Sequence, residues 1–250
     1  IMLLRIGIAA VCLGIYICCT NRQLFKIELR DWWMFFGTGI CSLMFFNYCY
    51  FTCIAMVSVS VAAVLLYTAP MMVMLMSIVL FHEKFTVKKG VVVLMTFVGC
   101  VLVTGLTGGG SIGAAGILVG LASAFGYALY SIFSTYALKK YHSITITFYT
   151  FVLAALGTLP LSHVSELAPM LQNPAVLLYG AGLGILACMF PYLLYTRGLT
   201  GVAASHASVM ATVEPVVATI IGVAVFGDVM TAGKCSGIIL ILAGIVILNV

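Results

Sequence analysis

Charged side chains are scarce in this chain of 250 residues. Only 7% of the sequence is Asp, Glu, Lys or Arg, whereas 64% is hydrophobic, and the mean hydropathy is +1.27. A water-soluble domain needs polar residues over its surface, so this composition excludes one and indicates that the solvent is a lipid bilayer. The net charge of +5 does not indicate a nucleic-acid partner, because the basic residues lie in short loops beside apolar runs.

The sequence also lacks the patterns that bind metals and nucleotides. Its nine cysteines are scattered through apolar runs, and no Cys or His group has the spacing of a metal site or a disulfide framework. The glycine-rich stretch 108–113 follows no strand, and the stretch 227–234 is followed by Cys235 where a phosphate loop requires Ser or Thr. We therefore expect no metal, no cofactor and no use of ATP by this chain.

Long apolar runs predict an all-α integral membrane protein. Each run approaches the roughly 20 residues that a helix needs to cross about 30 Å of hydrocarbon, and the connections are short. The nine predicted spans lie near 2–20, 32–55, 59–81, 87–104, 115–138, 144–161, 176–196, 204–226 and 233–250.

An internal repeat appears when the sequence is shifted by 145 residues. Pro70 then meets Pro215 and acidic Glu83 meets acidic Asp228, without a gap. The same register aligns a further set of residues: Ser60, Phe81, Thr86, Lys89 and Gly99 with Ser205, Phe226, Thr231, Lys234 and Gly244. The two halves therefore share one helix pattern.

The second half contains five predicted spans and the first contains four, so we expect a further helix before Ile1 and ten helices in all. The predicted organisation is a first repeat over 1–106, a linker over 107–114 and a second repeat over 115–250. Because five crossings reverse the direction of the chain, the two repeats should be inverted. Basic residues concentrate on alternate loops, which predicts that those loops and the C-terminus are cytoplasmic. These residues are Arg22, Lys26, Arg30, Lys84, Lys88, Lys89, Lys139, Lys140 and Arg197, with Arg5 and Lys234 as exceptions.

Inverted repeats with matching helix breaks are typical of secondary transporters, in which the halves enclose a substrate site near the midplane. The chain resembles the EamA family of the drug/metabolite transporter superfamily over its whole length. The resemblance rests on the opening Leu4-Arg5-Ile-Gly-Ile-Ala-Ala, the run from Pro70 to Glu83, the helix around Tyr127 and the run from Glu214 to Asp228. It implies ten helices in two inverted five-helix repeats and the export or exchange of small metabolites across the cytoplasmic (inner) cell membrane. The sequence departs from the family pattern in two respects. The first helix is absent, and two positions differ: Gly126-Tyr127 stands where the family often has tryptophan, and Asp228 stands in place of glutamate.

Glu214 is the strongest candidate for function, because a carboxylate in hydrocarbon is costly and usually functional. Its counterpart in the first half is Ala69, so helix packing does not require an acid there. Glu214 could couple transport to protons or pair with a substrate ammonium group. It could also hold its helix in place by a hydrogen bond to another span. His206 and Met210 recur at four-residue spacing on the same helix face; His206 is a candidate for coupling or a capping residue.

Two prolines are expected to interrupt their helices. Pro70 and Pro215 each lack an N–H and crowd the carbonyl four residues earlier, at Leu66 and Ala211. Those carbonyls would become available to a substrate, to water or to a neighbouring helix, or the prolines would only bend their helices. Glu83 and Asp228 lie at membrane ends and are expected to fix the turns into the next helices.

Polar and aromatic residues form the remaining candidate set. On the helix near 115–138, Ser123, Tyr127, Tyr130 and Ser134 form one stripe, and such a stripe should avoid lipid. The alternative is that these side chains make interhelical hydrogen bonds or anchor the interface. The candidate substrate-binding residues are Asn47, Tyr67, Ser123, Tyr127, Tyr130, Tyr192, Met210 and Glu214.

These features predict a secondary transporter, not an enzyme, that exports or exchanges a small amphipathic metabolite such as an amino acid or an amine. Its partners would be that small molecule and the bilayer, and the sequence does not fix the oligomeric state. Two alternatives remain: an intramembrane enzyme acting on a lipid or isoprenoid, and an accessory subunit that does not transport. The enzyme would need converging acids, whereas the sequence offers one intramembrane acid.

Overall fold

The computed structural model describes residues 2–105, 113–162 and 173–249. Within these ranges, nine helices are long and apolar enough to cross a membrane, which confirms the predicted all-α membrane fold. Most of the predicted linker 107–114 lies outside the described residues. The helices are α1 (Met2–Thr20), α2 (Leu29–Met56), α3 (Val59–Phe81), α4 (Val87–Thr104), α5 (Ala114–Ala137), α6 (Ser143–Leu161), α7 (Pro174–Gly198), α8 (Ala204–Phe226) and α9 (Ala232–Asn249).

Local sequence explains where several helices begin and end. The hydroxyls of Ser58 and Thr86 accept the backbone N–H groups of Val61 and Lys89, which satisfies donors that the first helical turn leaves unpaired. Asn173 caps α7 in the same way. At the ends of α3 and α8 the chain enters the left-handed region, at His82 (φ 53°) and Gly227 (φ 72°).

Two pairs of helices that correspond in the repeat are interrupted in their interior. α2 contains a π-helical segment at Gly37–Met44, and α7 contains one at Ile185–Met189. α3 consists of the helical segments Val59–Leu66 and Ala69–Phe81, and α8 is divided by a 3-10 turn at Ala211–Val213. Shifting the numbering by 145 maps residues 37–44 onto 182–189, which overlaps the π segment of α7. The repeat seen in the sequence is therefore also present in the irregularities of the helices.

The helices form two compact units, and each unit takes segments from both halves of the sequence. The first unit contains Ile1–Phe45 and Leu129–Val202, and the second contains Phe46–Ala128 and Ala203–Val250. Two of the three boundaries fall inside α2 and α5, and the third lies between α7 and α8. The compact units are thus not the sequence repeats, whose proposed boundaries at 106 and 115 stay a prediction.

In the second unit, α4 and α9 pack closely and antiparallel. A Cβ atom on Gly99 would lie 2.7 Å from Cγ1 of Ile241, and one on Gly244 would lie 2.9 Å from Cγ2 of Thr96. A shift of 145 residues relates Gly99 to Gly244 and Thr96 to Ile241. The contact between Gly99 and Ile241 is therefore equivalent, in the repeat, to the contact between Gly244 and Thr96. The two helices are therefore related by a local two-fold axis perpendicular to their length, the relation that inverted repeats require.

In the first unit, the start of α2 and the residue before it, Glu28, bind the turn between α5 and α6. The carboxylate of Asp31 accepts hydrogen bonds from Lys140 Nζ at 2.7 Å and from the Tyr141 hydroxyl at 2.6 Å. Lys140 also pairs with Glu28 at 2.6 Å. The hydrogen bonds that Lys140 donates, first to Asp31 and then to Glu28, raise its pKa above the ordinary value. Partial burial and the hydrogen bond to Asp31 raise the pKa of Tyr141, so its hydroxyl stays a donor.

Candidate functional site

Glu214 opens the second helical segment of α8, which runs from Glu214 to Phe226. Pro215 follows it, and proline is well suited to the first positions of a helix because no N–H is needed there. A carboxylate at this position also interacts favourably with the helix dipole. The N–H of Glu214 donates to the carbonyl of Ala211, so that carbonyl, which the sequence predicted to be available, already has a donor.

The carboxylate of Glu214 is within electrostatic range of side chains from three other helices of the second unit. These are Tyr50 of α2, Tyr67 at the interruption of α3, and Cys100 of α4. Tyr50 and Tyr67 also interact with each other. Tyr67 packs beside the buried cluster that contains Cys100 and Val216. The structure thus brings the predicted residues Tyr67 and Glu214 together.

The face of α8 that carries Glu214 is accessible over much of its length. Glu214 is exposed and Met210, one turn earlier, is 41% exposed. His206 is half-buried, and its electrostatic neighbours are Glu83, Lys88 and Lys89. Glu214 lies eight positions after His206, about 12 Å along a helix, so the two side chains are not in direct contact.

Three other predicted residues lie in the same unit as Glu214. Asn47 is buried, and Tyr127 meets the Phe46 ring edge-to-face at 5.4 Å between centroids. The Ser123 hydroxyl is buried and donates to the carbonyl of Gly120 in its own helix at 2.6 Å. The hydrogen bond of Ser123 therefore stays within α5 and is not the interhelical bond that the alternative interpretation expects.

Tyr130 and Tyr192 lie in the first unit, in a hydroxyl and aromatic cluster. The hydroxyl of Tyr130 shares a hydrogen bond with Thr196 at 2.6 Å, and its ring lies 5.0 Å from that of Tyr192. Tyr192 also contacts Phe151 at 5.4 Å. The predicted stripe on α5 is therefore divided, because Ser123 and Tyr127 belong to one unit and Tyr130 and Ser134 to the other.

Both prolines stand where their helices are interrupted. Pro70 lies at the start of the segment Ala69–Phe81, and Pro215 at the start of Glu214–Phe226. Both are buried. In α3 the hydroxyl and the N–H of Thr68 both donate to the carbonyl of Leu65, at 2.7 Å and 3.1 Å, which stabilises the interruption locally.

Sequence reasoning did not assign Tyr50 or Cys100 to the site. Tyr50 lies on the same helix face as Asn47, and that pattern could have identified it. Cys100 has no such pattern, because a thiol in an apolar run has the appearance of a small core residue. Among the residues that the structure describes, no three His, Cys, Asp or Glu side chains come together as a metal site would require.

The EamA-like transporter family matches residues 1–105 and 114–250. An "Uncharacterized transporter" of Archaeoglobus fulgidus is 31% identical over 198 residues, covering 79% of this chain and 70% of the relative. "Uncharacterized transporter YwfM" of Bacillus subtilis is 24% identical over 247 residues, covering 98% of this chain and 81% of the relative.

A solved crystal structure has the same fold. Its TM-score is 0.80 at 19% sequence identity, and the match covers 99% of this chain and 85% of the other. At this identity the likeness concerns the fold alone. The family match over both halves, together with the archaeal relative, shows that this multi-pass membrane protein belongs to the EamA-like transporter family.

Proposed function

We propose that the protein is a secondary transporter that exports or exchanges a small amphipathic metabolite by alternating access. The substrate class is an amino acid, an amine or a related compound with a cationic head and an apolar body. In this proposal the protein lies in the cytoplasmic membrane with its C-terminus in the cytoplasm. The observation that carries it is the accessible carboxylate of Glu214 beside the phenols of Tyr50 and Tyr67, at helix interruptions in α3 and α8.

The chemistry of this group of residues suits a cationic head. A carboxylate attracts an ammonium group directly, and the faces of aromatic rings attract cations through their quadrupole. The methionine side chain of Met210 adds a flexible apolar surface next to the acid. A ligand with an apolar body would therefore find both kinds of contact on one face of α8.

The same carboxylate offers a second role, proton coupling. A carboxylate can take up and release a proton, so in this role Glu214 exchanges a proton as its surroundings open and close. Coupling and substrate recognition predict different results for a neutral substitution. Recognition requires the charge in the bound state, whereas coupling requires that the charge change during the cycle.

Flux measurements in proteoliposomes test both roles. Proteoliposomes that contain the purified protein are loaded with each member of a panel of amino acids and amines, and flux is measured with and without a pH gradient. Glu214→Gln is compared with Glu28→Gln, which changes a surface carboxylate paired with Lys140. If Glu214 recognises a cation, Glu214→Gln loses flux in both conditions. If it couples protons, Glu214→Gln keeps exchange but loses its response to the gradient. Full retention of flux and of the gradient response would remove Glu214 from the mechanism.

The same preparation separates transport from the other two classes of function. An accessory subunit would show no flux as a purified protein, and a partner would restore it. An intramembrane enzyme would convert a lipid or isoprenoid without moving a solute. Flux by the purified protein without chemical change of the solute supports the transporter.

A further inference from the structure

The turns that follow α3 and α8 are built from the same parts. In each turn a threonine hydroxyl caps the next helix: Thr86 accepts the N–H of Lys89 at 3.3 Å, and Thr231 accepts the N–H of Lys234 at 3.2 Å. Each capped lysine pairs with the acid six residues before it. The backbone N–H of each acid also donates into the end of the preceding helix, to Ser77 and to Gly222.

The two turns differ in how tightly the acid is held. Glu83 is only 15% exposed in its side chain, pairs with Lys89 at 3.3 Å and accepts a hydrogen bond from the hydroxyl of Ser205 on α8. Ser205 itself is 4% exposed. Asp228 is 56% exposed and lies 3.8 Å from Lys234. One turn is therefore closed against a neighbouring helix, and the other is open.

These turns lie at opposite ends of the second unit. α3 runs 23 residues from Val59 to Phe81, and α8 runs 23 residues from Ala204 to Phe226, each about 35 Å long. Because Ser205 at the start of α8 meets Glu83 beyond the end of α3, the two helices are antiparallel. Asp228 therefore lies at the end of the unit where α3 begins. The Glu83 end carries Lys84, Lys88 and Lys89 and is the side predicted to be cytoplasmic.

The local two-fold relation assigns a partner to each acid. The shift of 145 residues that relates Gly99 and Gly244 converts Glu83 into Asp228 and Ser205 into Ser60, the second residue of α3. Ser60 is half-buried, whereas Ser205 is buried. The contact between Glu83 and Ser205 thus has a symmetry-related counterpart, in which Asp228 would accept the hydroxyl of Ser60.

We propose that Glu83–Ser205 and Asp228–Ser60 are alternative gate contacts at opposite membrane faces, and that α3 and α8 tilt against each other so that only one closes at a time. This inference rests on the proposed alternating-access function. In the present structure the Glu83 gate is closed and the Asp228 side is exposed. The close contact of α4 and α9 stays fixed and serves as the frame against which α3 and α8 move.

The two gates have the same chemistry. Each contact is one hydrogen bond from a serine to a carboxylate that a lysine already pairs with, so opening one gate and closing the other replaces one serine–carboxylate contact with another of the same kind. Aspartate is one methylene shorter than glutamate, which makes the Asp228 gate harder to close at the same helix separation. That difference favours the state seen here, with Glu83 engaged.

Hydrogen–deuterium exchange of the full-length protein in lipid nanodiscs tests the proposal without any substrate. The backbone amides of the turns 82–86 and 227–231 report each gate. Ser205→Ala removes the hydroxyl from the closed gate, and a lost bond to a charged group corresponds to a shift on the order of ten-fold or more. We expect exchange in 82–86 to rise and exchange in 227–231 to fall. Ser205→Thr keeps a hydroxyl and is the matched control.

Three further variants complete the test. Ser60→Ala should oppose the effect of Ser205→Ala when the two are combined and return the ratio of exchange rates toward that of the parent protein. Asp228→Glu should slow exchange in 227–231, because the longer side chain reaches Ser60. Glu83→Gln supplies a second way to weaken the closed gate if Ser205→Ala does not fold.

Exchange that rises in 82–86 while 227–231 stays unchanged would overturn the proposal, because it would describe local loosening only. The proposal is also overturned if adding Ser60→Ala to Ser205→Ala does not bring the ratio of the two exchange rates back toward that of the parent protein. Reciprocal exchange in a protein that moves no solute would contradict the transporter proposal but not the paired gates. Solute flux without reciprocal hydrogen–deuterium exchange would contradict the paired gates but not the transporter proposal.

Discussion

Gly99 of α4 and Gly237 of α9 face each other with no room for a methyl group on either. A Cβ atom on Gly237 would lie 2.6 Å from the carbonyl oxygen of Gly99, and one on Gly99 would lie 2.8 Å from the carbonyl oxygen of Gly237. In a bilayer, where lipid tails are as apolar as side chains, such close backbone contact is a main source of helix association. The contact therefore stabilises the frame of the second unit.

Gly237→Ala should destabilise the protein because backbone atoms, unlike the end of a flexible side chain, cannot move aside locally. Overpacking of this kind costs about 1–3 kcal/mol. Gly233→Ala on the same helix is the matched control, since its Cβ atom would meet the carbonyl oxygen of Leu102 at an ordinary 3.7 Å. Thermal unfolding in detergent, followed by size-exclusion chromatography, should show a lower midpoint for Gly237→Ala alone. Equal midpoints for the two variants would contradict the packing account.

His82 and Gly227 are equivalent residues with the same left-handed conformation, but only one of them is a glycine. A side chain in this region costs about 1–2 kcal/mol. Gly227→Ala should therefore lower the free energy of unfolding by about 1 kcal/mol, and His82→Gly should leave it unchanged or raise it. Gly182→Ala provides the control for adding a methyl group, because its Cβ atom would meet no atom within 4 Å. Thermal unfolding in detergent measures the changes, and stabilisation by Gly227→Ala would refute the assignment of strain.

The fold was predictable from the sequence because the features that fix it are local or periodic. Apolar runs of bilayer length gave the nine spans, and the shared register of Pro70 with Pro215 located the helix interruptions. The residues around Glu214 were less accessible to prediction. Tyr50 and Cys100 come from helices distant in sequence, and only packing decides which face of each helix meets the acid.

The division of the α5 stripe shows why helical periodicity alone did not define one site. Periodicity puts Ser123 and Tyr130 on similar faces of one helix, but it does not say which helices lie beside each turn. Ser123 bonds to its own helix, whereas Tyr130 bonds to Thr196 of α7. Each compact unit contains segments from both halves of the sequence, which places a unit boundary inside α5. No pattern in the sequence indicates where that boundary lies.

Tyr130→Phe should affect stability and not substrate affinity. Tyr130 is 5% exposed, and its hydroxyl shares a 2.6 Å hydrogen bond with Thr196. Removing one buried partner costs about 1 kcal/mol, so the unfolding midpoint should fall while the half-saturation concentration for flux stays the same. Tyr48→Phe, at a side chain that is 57% exposed, should change neither quantity. A several-fold rise in the half-saturation concentration for Tyr130→Phe would instead place this hydroxyl in the substrate site.

Lys140 and Tyr141 both bind Asp31, but their contributions to stability should respond differently to salt and pH. Lys140 is 43% exposed in its side chain, so salt should weaken its pair with Asp31, and the destabilisation caused by Lys140→Gln should shrink at high ionic strength. Tyr141 donates to an acid that is 8% exposed and accepts the N–H of Glu28 at 3.0 Å. Tyr141→Phe should therefore cost about 1–2 kcal/mol, with little dependence on salt.

The pH dependence follows from the direction of the shift at Lys140. Because its pKa is higher in the folded protein than in the unfolded chain, its stabilising contribution is complete below the unfolded value, about 10.4, and is lost only as the pH rises through the folded value. The destabilisation caused by Lys140→Gln should thus be constant between about pH 6 and about pH 9. Thermal unfolding of both variants across this range and at two salt concentrations measures these effects. A Lys140→Gln effect that fades toward pH 9 would mean that Asp31 does not hold the lysine in its charged form.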